Sequence, residues 1–370
     1  MLAFLSIAFT LYGAMHLYAL NKVWQAAPHS LWLGVLLALG GLILTLTPFL
    51  LWQLTRQNWH SASVVASWIV YLWMGFIFLF CCTALVFDIG RLFASIANFK
   101  WPLNDVTSLL ATTLLALAFI GYGFISARQI QVEEVTIATP KLASGKVTIA
   151  QISDLHLGVM LGDDFLQRVI AILNVIKPDI IVATGDVIDG QGDDLEALAK
   201  RLRMLKPPKG LFAVTGNHEY FAGLEPSLRF LHDAGFTVLR GDAVKIAGIV
   251  LVGVDDPTAS AMGQVIKTDI RQALSSVSKD DFIVLLKHQP VVDSQTTFDL
   301  QLSGHVHGGQ IFPFGLLTQL VYHVHTGLTQ LTDDRSLYVS RGTGTWGPPV
   351  RLFAAPEITL ITIKSSNMNY

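Results

Sequence analysis

Hydrophobic positions follow two different patterns along this chain. In the first third they run together: Leu2 to Leu20, Leu31 to Leu51, Val64 to Phe87 and Val106 to Ile125 are apolar stretches with almost no polar stripe. Each is about the 20 residues that a helix needs to cross a bilayer, whereas helices of a water-soluble bundle keep a polar face. Trp and Tyr stand near their edges (Tyr18, Trp24, Trp32, Trp52, Trp59, Trp101, Tyr122), where aromatic rings sit among headgroups. The pattern predicts an all-α transmembrane domain over 1–127 with four spans, 2–20, 31–51, 64–87 and 106–125. The first run lacks the basic residue and small-x-small site of a cleaved leader, so it is expected to be retained.

From Val147 the pattern becomes one of short β-rich runs separated by turns and amphipathic stretches. Strands are expected at Val147–Ile152, Ile180–Ala183 and Leu211–Thr215, and helices at Asp163–Ile176 and Leu195–Leu205. This alternation implies crossover connections and a largely parallel core sheet. The later runs Ile249–Val254, Phe282–Leu286, Leu337–Ser340 and Ile358–Ile363 come with fewer helices, so a more antiparallel second half is expected. Residues 128–370 thus read as an α/β domain.

Composition sharpens the division. A chain of 370 residues that is 52% hydrophobic and 14% charged is too apolar for two soluble domains. Up to position 127 the only charged residues are Lys22, Arg56, Asp88, Arg91, Lys100 and Asp105. Four spans put both ends on one side of a cell membrane. Arg56, Arg128, Lys141 and Lys146 then lie with the α/β part against Lys22, Arg91 and Lys100 opposite, a balance that leans towards a cytoplasmic α/β domain. The two cysteines, Cys81 and Cys82, are adjacent and offer no structural disulfide. A net charge of −2 gives no basic footprint for nucleic acid.

The polar residues that matter follow the strands. Asp154 and His156 come after the first, Asp186 and Asp189 after the second, and Asn217, His218 and Glu219 after the third. His288 follows Phe282–Leu286, and Gly304-His305-Val306-His307-Gly308-Gly309 supplies two more imidazoles. Loops at the carboxyl ends of strands converge on one crevice in an open α/β sheet. Asp154, Asp186, Asn217, His156, His288, His305 and His307 form a nitrogen and oxygen donor set without thiolate, suited to Mn, Fe, Zn or Mg. Seven ligands exceed what one ion with an open position needs, which points to two ions. Such a pair, about 3.5–4 Å apart, clamps a phosphoryl group and acidifies a water.

In order and spacing, D-x-H, GD-x-x-D, GNH[DE], a later His and GH-x-H resemble the five blocks of the calcineurin-like metallophosphoesterases. The ending Arg341-Gly342-Thr343-Gly344-Thr345 with Pro349, Arg351 and Pro356-Glu357-Ile358 resembles the membrane-associated bacterial branch with GH-x-HGGQ. The resemblance implies two packed β-sheets flanked by helices. By position it gives one divalent ion Asp154, His156, Asp186 and His307, and the other Asp186, Asn217, His288 and His305, with Asp186 bridging. It makes His218 the general acid and Asp189 the carboxylate that orients it, while Glu219 supports the loop. Protein serine/threonine phosphatases of the family carry Arg after the second Asp of GD-x-x-D. Gly190 stands there, which argues for a phosphodiester or pyrophosphate rather than a phosphoprotein.

The resemblance thus implies a membrane-anchored phosphohydrolase whose partners are the bilayer and a small or lipid-linked phosphoester. Some membrane-anchored relatives with this ending cleave UDP-2,3-diacylglucosamine, although another branch with that activity has Arg at the place of His218. A non-catalytic sensor on the same fold is the rival reading, but no ligand is lost. A transporter is disfavoured because the only candidate acidic group is Asp88, at a helix end, which offers no obvious ion path. His16, His29, His60 and His232 read as packing or surface residues, and Asp255 and Asp256 as turn formers before Pro257. His323 or His325 could line the cleft. Ile311 to Tyr322, without a charge in twelve residues, is either buried or exposed towards lipid.

Overall fold

The computed structural model describes residues 2–55, 59–189, 195–267, 273–275, 277–292, 297–332 and 334–366. They divide into two compact units, Met1–Ile125 with Gly347–Val350, and Ser126–Trp346 with Arg351–Tyr370. Gly190 lies outside the described residues.

The first unit contains α1 (Leu2–Ala26), α2 (Leu31–Thr55), α3 (His60–Ile96) and α4, which runs from Asp105 to Ser126. Among the described residues three helices are long and apolar enough to cross a membrane: Leu31–Thr55, Ser61–Ile96 and Asp105–Ser126. The third expected span, 64–87, is the middle of a 37-residue helix. At 1.5 Å per residue that helix is about 55 Å long, well beyond a hydrocarbon core of about 30 Å. An apolar run marks what can sit in hydrocarbon; the helix continues through the neighbouring polar residues because no proline stops it. Leu36, Leu39, Leu42 and Ile43 on α2 and Leu114 and Leu117 on α4 remain exposed, as lipid-facing side chains do. Several polar groups inside the unit pair with one another. Tyr18 Oη and Lys22 Nζ each donate to Asp88 at 2.6 Å. His16 bonds the Tyr12 carbonyl at 2.8 Å and accepts from Trp73 Nε1 at 2.9 Å, a packing role.

The second unit is built on two six-stranded sheets. The first has β1 (Gln131–Thr139), β2 (Lys146–Ile152), β3 (Ile180–Thr184), β4 (Leu211–Val214), β5 (Thr237–Val238) and β12 (Glu357–Ser365), in the order β1-β12-β2-β3-β4-β5. The other has β6 (Asp242–Ile246), β7 (Ile249–Gly253), β8 (Phe282–Leu286), β9 (Leu300–Ser303), β10 (Gly327–Thr332) and β11 (Arg335–Val339), in the order β10-β11-β9-β8-β7-β6. Only β12–β2 is antiparallel in the first sheet. In the second sheet only the edge pairs β6–β7 and β10–β11 are antiparallel, and its centre is parallel. The second half is therefore less antiparallel than the scarcity of helices suggests. A parallel pair needs a connection of about a dozen residues, not necessarily a helix, and 254–281 and 287–299 provide that length.

Strand alternation explains how both sheet faces are covered. Ile149, Ile180, Val182 and Val214 point between the sheets to meet Ile249, Leu251, Val284 and Leu300. Ala150, Ile152, Ile181 and Ala183 point outward onto Leu166, Val169 and Leu173 of α5 (Asp163–Ile176), Leu198 and Leu202 of α6 (Leu195–Leu202), and Leu231 of α8 (Leu224–Asp233). Two short helices, α7 (Asn217–Phe221) and α9 (Thr258–Ala261), follow β4 and β7. The apolar segment after the GH-x-H motif forms α10 (Phe314–Tyr322), a helix with no buried residue.

Arg351 ties the chain's last loops to this frame. It is 0% exposed. Its guanidinium donates to the carbonyls of Arg341 at 2.6 Å, His307 at 2.9 Å, Ala354 at 3.2 Å and Gly344 at 3.0 Å. An isosteric apolar side chain would leave these acceptors buried and unmet, each costing about 1–3 kcal/mol. Arg351→Met should therefore lower the melting temperature of the detergent-purified protein by roughly 10 °C, for a loss of about 3–5 kcal/mol in a domain of this size. An unchanged melting temperature would mean that those carbonyls find other donors.

Candidate metal centre

The carboxyl ends of β2, β3, β4, β8 and β9 meet at one edge of the paired sheets. Each strand stops where the chain must turn, and the turns are sharp. Asp154 (φ 53°), His156 (φ 48°), Asp186 (φ 51°), His305 (φ 72°) and His307 (φ 51°) all occupy the left-handed region. For a residue with a Cβ this costs of order 1–3 kcal/mol and persists only where the surroundings enforce it. Enforcement comes from a mesh of backbone bonds. Asp154 N–H donates to Gly185 O and His156 N–H to Asp186 O, both at 3.0 Å, while Gly304 N–H reaches His288 O at 2.9 Å. The glycines of GNH and GH-x-H serve close approach: a Cβ on Gly216 would overlap Asp186 Oδ1, and one on Gly304 would overlap Asp154 Oδ2.

All the residues expected as ligands come together, in two groups. In the first, His307 Nε2 lies 3.1 Å from His156 Nε2 and 3.3 Å from Asp154 Oδ1. In the second, three atoms converge on His288 Nε2: Asn217 Oδ1 at 3.1 Å, Asp186 Oδ2 at 3.2 Å and His305 Nδ1 at 3.2 Å. Asp186 Oδ2 is also 3.9 Å from His156 Nε2, which puts this carboxylate between the groups. His218 Nδ1 is 2.8 Å from Asp189 Oδ1, and its ring stands edge-on to His156 at 4.6 Å.

The electrostatics fit a cation. Burial would raise the pKa of Asp154 and Asp186, yet the imidazoles around them hold both well below the usual carboxylate range. Burial pushes His305 and His307 down to about 4, leaving their lone pairs free near neutrality. His288 goes the other way: burial opposes its charge, but Asp186 raises it well above the usual value. The raised pKa of His288 marks the negative charge gathered by these carboxylates, which a divalent ion would offset. His218 is likewise opposed by burial and raised to about 9 by Asp186 and by the hydrogen bond that its ring donates to Asp189. Donors without sulfur, two buried carboxylates and facing imidazole nitrogens are what hard or borderline divalent ions require.

Glu219 supports the loops and lies outside both groups. Its carboxylate accepts from the backbone N–H of Gly216 at 2.7 Å, Val187 at 2.8 Å and Asp186 at 2.9 Å, sewing the loops after β3 and β4 together. Asp255 forms a bidentate pair with Arg240 at 2.7 and 3.0 Å, and Asp256 Oδ1 accepts from Thr258 N–H at 2.8 Å and so shapes the turn. His323 and His325 are exposed, and the residue that reaches the site from this segment is Tyr322, which sequence reasoning passed over as one of a run of apolar residues. Its hydroxyl is 2.6 Å from His305 Nε2, opposite the nitrogen that faces His288. Phe221 and Trp346 were also missed; their exposed rings lie 5.5 and 5.8 Å from that of His218.

A partner on the far nitrogen fixes the tautomer and direction of a ligating imidazole, and its loss usually costs about 10–100-fold in metal affinity. Tyr322→Phe should therefore keep the fold but release one of two ions more readily under chelator titration. Unchanged metal retention would show that the hydroxyl does not position His305.

Comparison with known proteins gives the family. A sequence profile of calcineurin-like phosphoesterases matches residues 147–309. An uncharacterized metallophosphoesterase of Aquifex aeolicus is 42% identical over 231 residues, covering 61% of this chain and 88% of that protein. A Helicobacter pylori metallophosphoesterase is 35% identical over 226 residues, 60% of this chain and 61% of its own. A Danio rerio transmembrane protein with a metallophosphoesterase domain is 34% identical over 231 residues, 58% of this chain and 52% of its own. Against these last two the match spans between half and two thirds of the relative's length. Phosphoesterases of this kind use a dinuclear divalent metal centre, and the two clusters of aspartate and histidine are able to hold it. The chain belongs to the calcineurin-like metallophosphoesterase family.

Proposed function

We propose that this metal-dependent phosphoesterase hydrolyses a phosphodiester or pyrophosphate bond in a lipid-linked molecule at a membrane. The observation that carries the reading is the position of Asp186. It lies between Asp154, His156 and His307 on one side and Asn217, His288 and His305 on the other, with the His218–Asp189 pair alongside. One ion would be held by Asp154, His156, Asp186 and His307, the other by Asp186, Asn217, His288 and His305. When bound, the ions supply Lewis-acid polarisation of the phosphoryl group and an acidified water as nucleophile.

The protein's own groups supply the rest. The carboxylate of Asp189 takes the hydrogen bond of His218 Nδ1, which leaves Nε2–H to be given to the departing oxygen. The backbone N–H of His218 donates to Asp186 Oδ1 at 2.8 Å, so the acid is registered to the carboxylate between the two groups. Gly190 in place of the arginine of phosphoprotein phosphatases supports a diester or pyrophosphate. The exposed rings of Phe221 and Trp346 beside His218 support an amphiphilic substrate, and UDP-2,3-diacylglucosamine is the specific molecule to try. In this reading residues 1–127 are the anchor, with α1 as a fourth crossing, and residues 128–370 work on the cytoplasmic face.

Purified protein should hydrolyse bis-p-nitrophenyl phosphate, with Mn(II) restoring activity after chelation, and Asp186→Ala should abolish turnover. A folded Asp186→Ala protein with wild-type turnover would overturn the two-ion assignment. His218→Asn should retain both metals and slow turnover roughly 10²–10⁴-fold on a phosphodiester with an alkoxide leaving group. The loss should shrink for p-nitrophenolate, a leaving group that needs no proton. Equal losses on both substrates would remove His218 from the role of acid.

A further inference from the structure

Helix α10 is built inside out for a helix in contact with water. At about 100° per residue, Leu316, Leu320, Leu317, Val321 and Phe314 fill one arc of about 160°. All of them are exposed, Leu320 at 69%. The opposite arc carries Gly315, Thr318 and Tyr322, and this small or polar side packs inward. Gly315 approaches the backbone of Gly308 and Gly309 so closely that a Cβ on Gly309 would overlap it, and Tyr322 reaches His305. A surface helix in water turns its apolar arc to the core and its polar arc outward. Here the arrangement is reversed, and Phe312 and Phe353, in edge-on contact at 6.0 Å, add two exposed rings outside the helix.

We infer that this surface docks into a lipid bilayer. An outward apolar arc without a charged residue from 311 to 322 offers a protein partner no ion pair to set its orientation, whereas hydrocarbon needs none. The same chain carries three helices long and apolar enough to span a membrane, so lipid is present at high effective concentration whenever the protein is in place. The inner side of α10 rests on the loop that bears His305 and His307. The docked surface and the metal centre are therefore two faces of one short helix, and a phosphoester whose apolar part stays in lipid would meet the metal ligands one side chain away.

The docking does not depend on turnover, so it is tested without it. Full-length protein carrying Cys81→Ser and Cys82→Ser, with Leu320→Cys or Leu316→Cys labelled by a nitrobenzoxadiazole fluorophore, is placed in lipid nanodiscs. Lys200→Cys on the exposed face of α6 is the control. Both α10 labels should be blue-shifted, lose most of their emission to doxyl-labelled lipids and resist iodide, and the control should show the reverse. Iodide quenching at Leu320 and Leu316 equal to that at Lys200 would place α10 in water and overturn the inference. Protection from both quenchers would mean that protein, such as a second copy, covers the surface, and would overturn it equally. Activity lost with docking intact would count against the proposed reaction alone.

Discussion

Two carboxylates, Asp154 and Asp186, are buried within reach of each other's imidazole partners, and the second unit is organised around keeping them charged. An unpaired carboxylate so placed would take up a proton. Here His307, His288 and His218 stand against them and hold both carboxyls below the usual range, two of those imidazoles being themselves pushed towards the charged form. The cluster demands positive charge, and the divalent ions of this family answer that demand more completely than protons can.

Bringing the ligands so close requires a backbone that would not hold by itself. The left-handed residues that carry them are strained, and the compensation is distributed over the frame. Glu219 gathers the N–H groups of two loops and Arg351 the carbonyls of two others. Both side chains are fully buried and outside the ligand set. The two act as complementary clamps: the carboxylate collects orphan donors and the guanidinium collects orphan acceptors.

The same economy of contact links the centre to the surface. The two glycines after His307 let α10 lie directly on the metal loop, and Tyr322 closes the link by touching His305. The apolar residues that face outward are held by a helix whose inner side is too small to separate them from the chemistry.

Much of this was legible in the sequence. The apolar runs announced membrane helices because hydrocarbon admits almost no polar group over the thickness of a bilayer. The ligand motifs announced a metal centre because aspartate and histidine directly after strands have one crevice in which to meet. What the sequence could not determine was what depends on contacts distant along the chain. The parallel centre of the second sheet and the helical, outward-facing form of Phe314–Tyr322 are set by neighbours, not by local periodicity. Tyr322 belongs to that class: within its apolar run it looks like one more hydrophobic residue, and only packing α10 against Gly308 and Gly309 brings its hydroxyl to His305. Sequence determined which atoms could bind a metal because that follows from residue type and spacing, whereas tertiary structure decided which groups orient them, because a hydrogen bond exists only where the folded chain closes the distance.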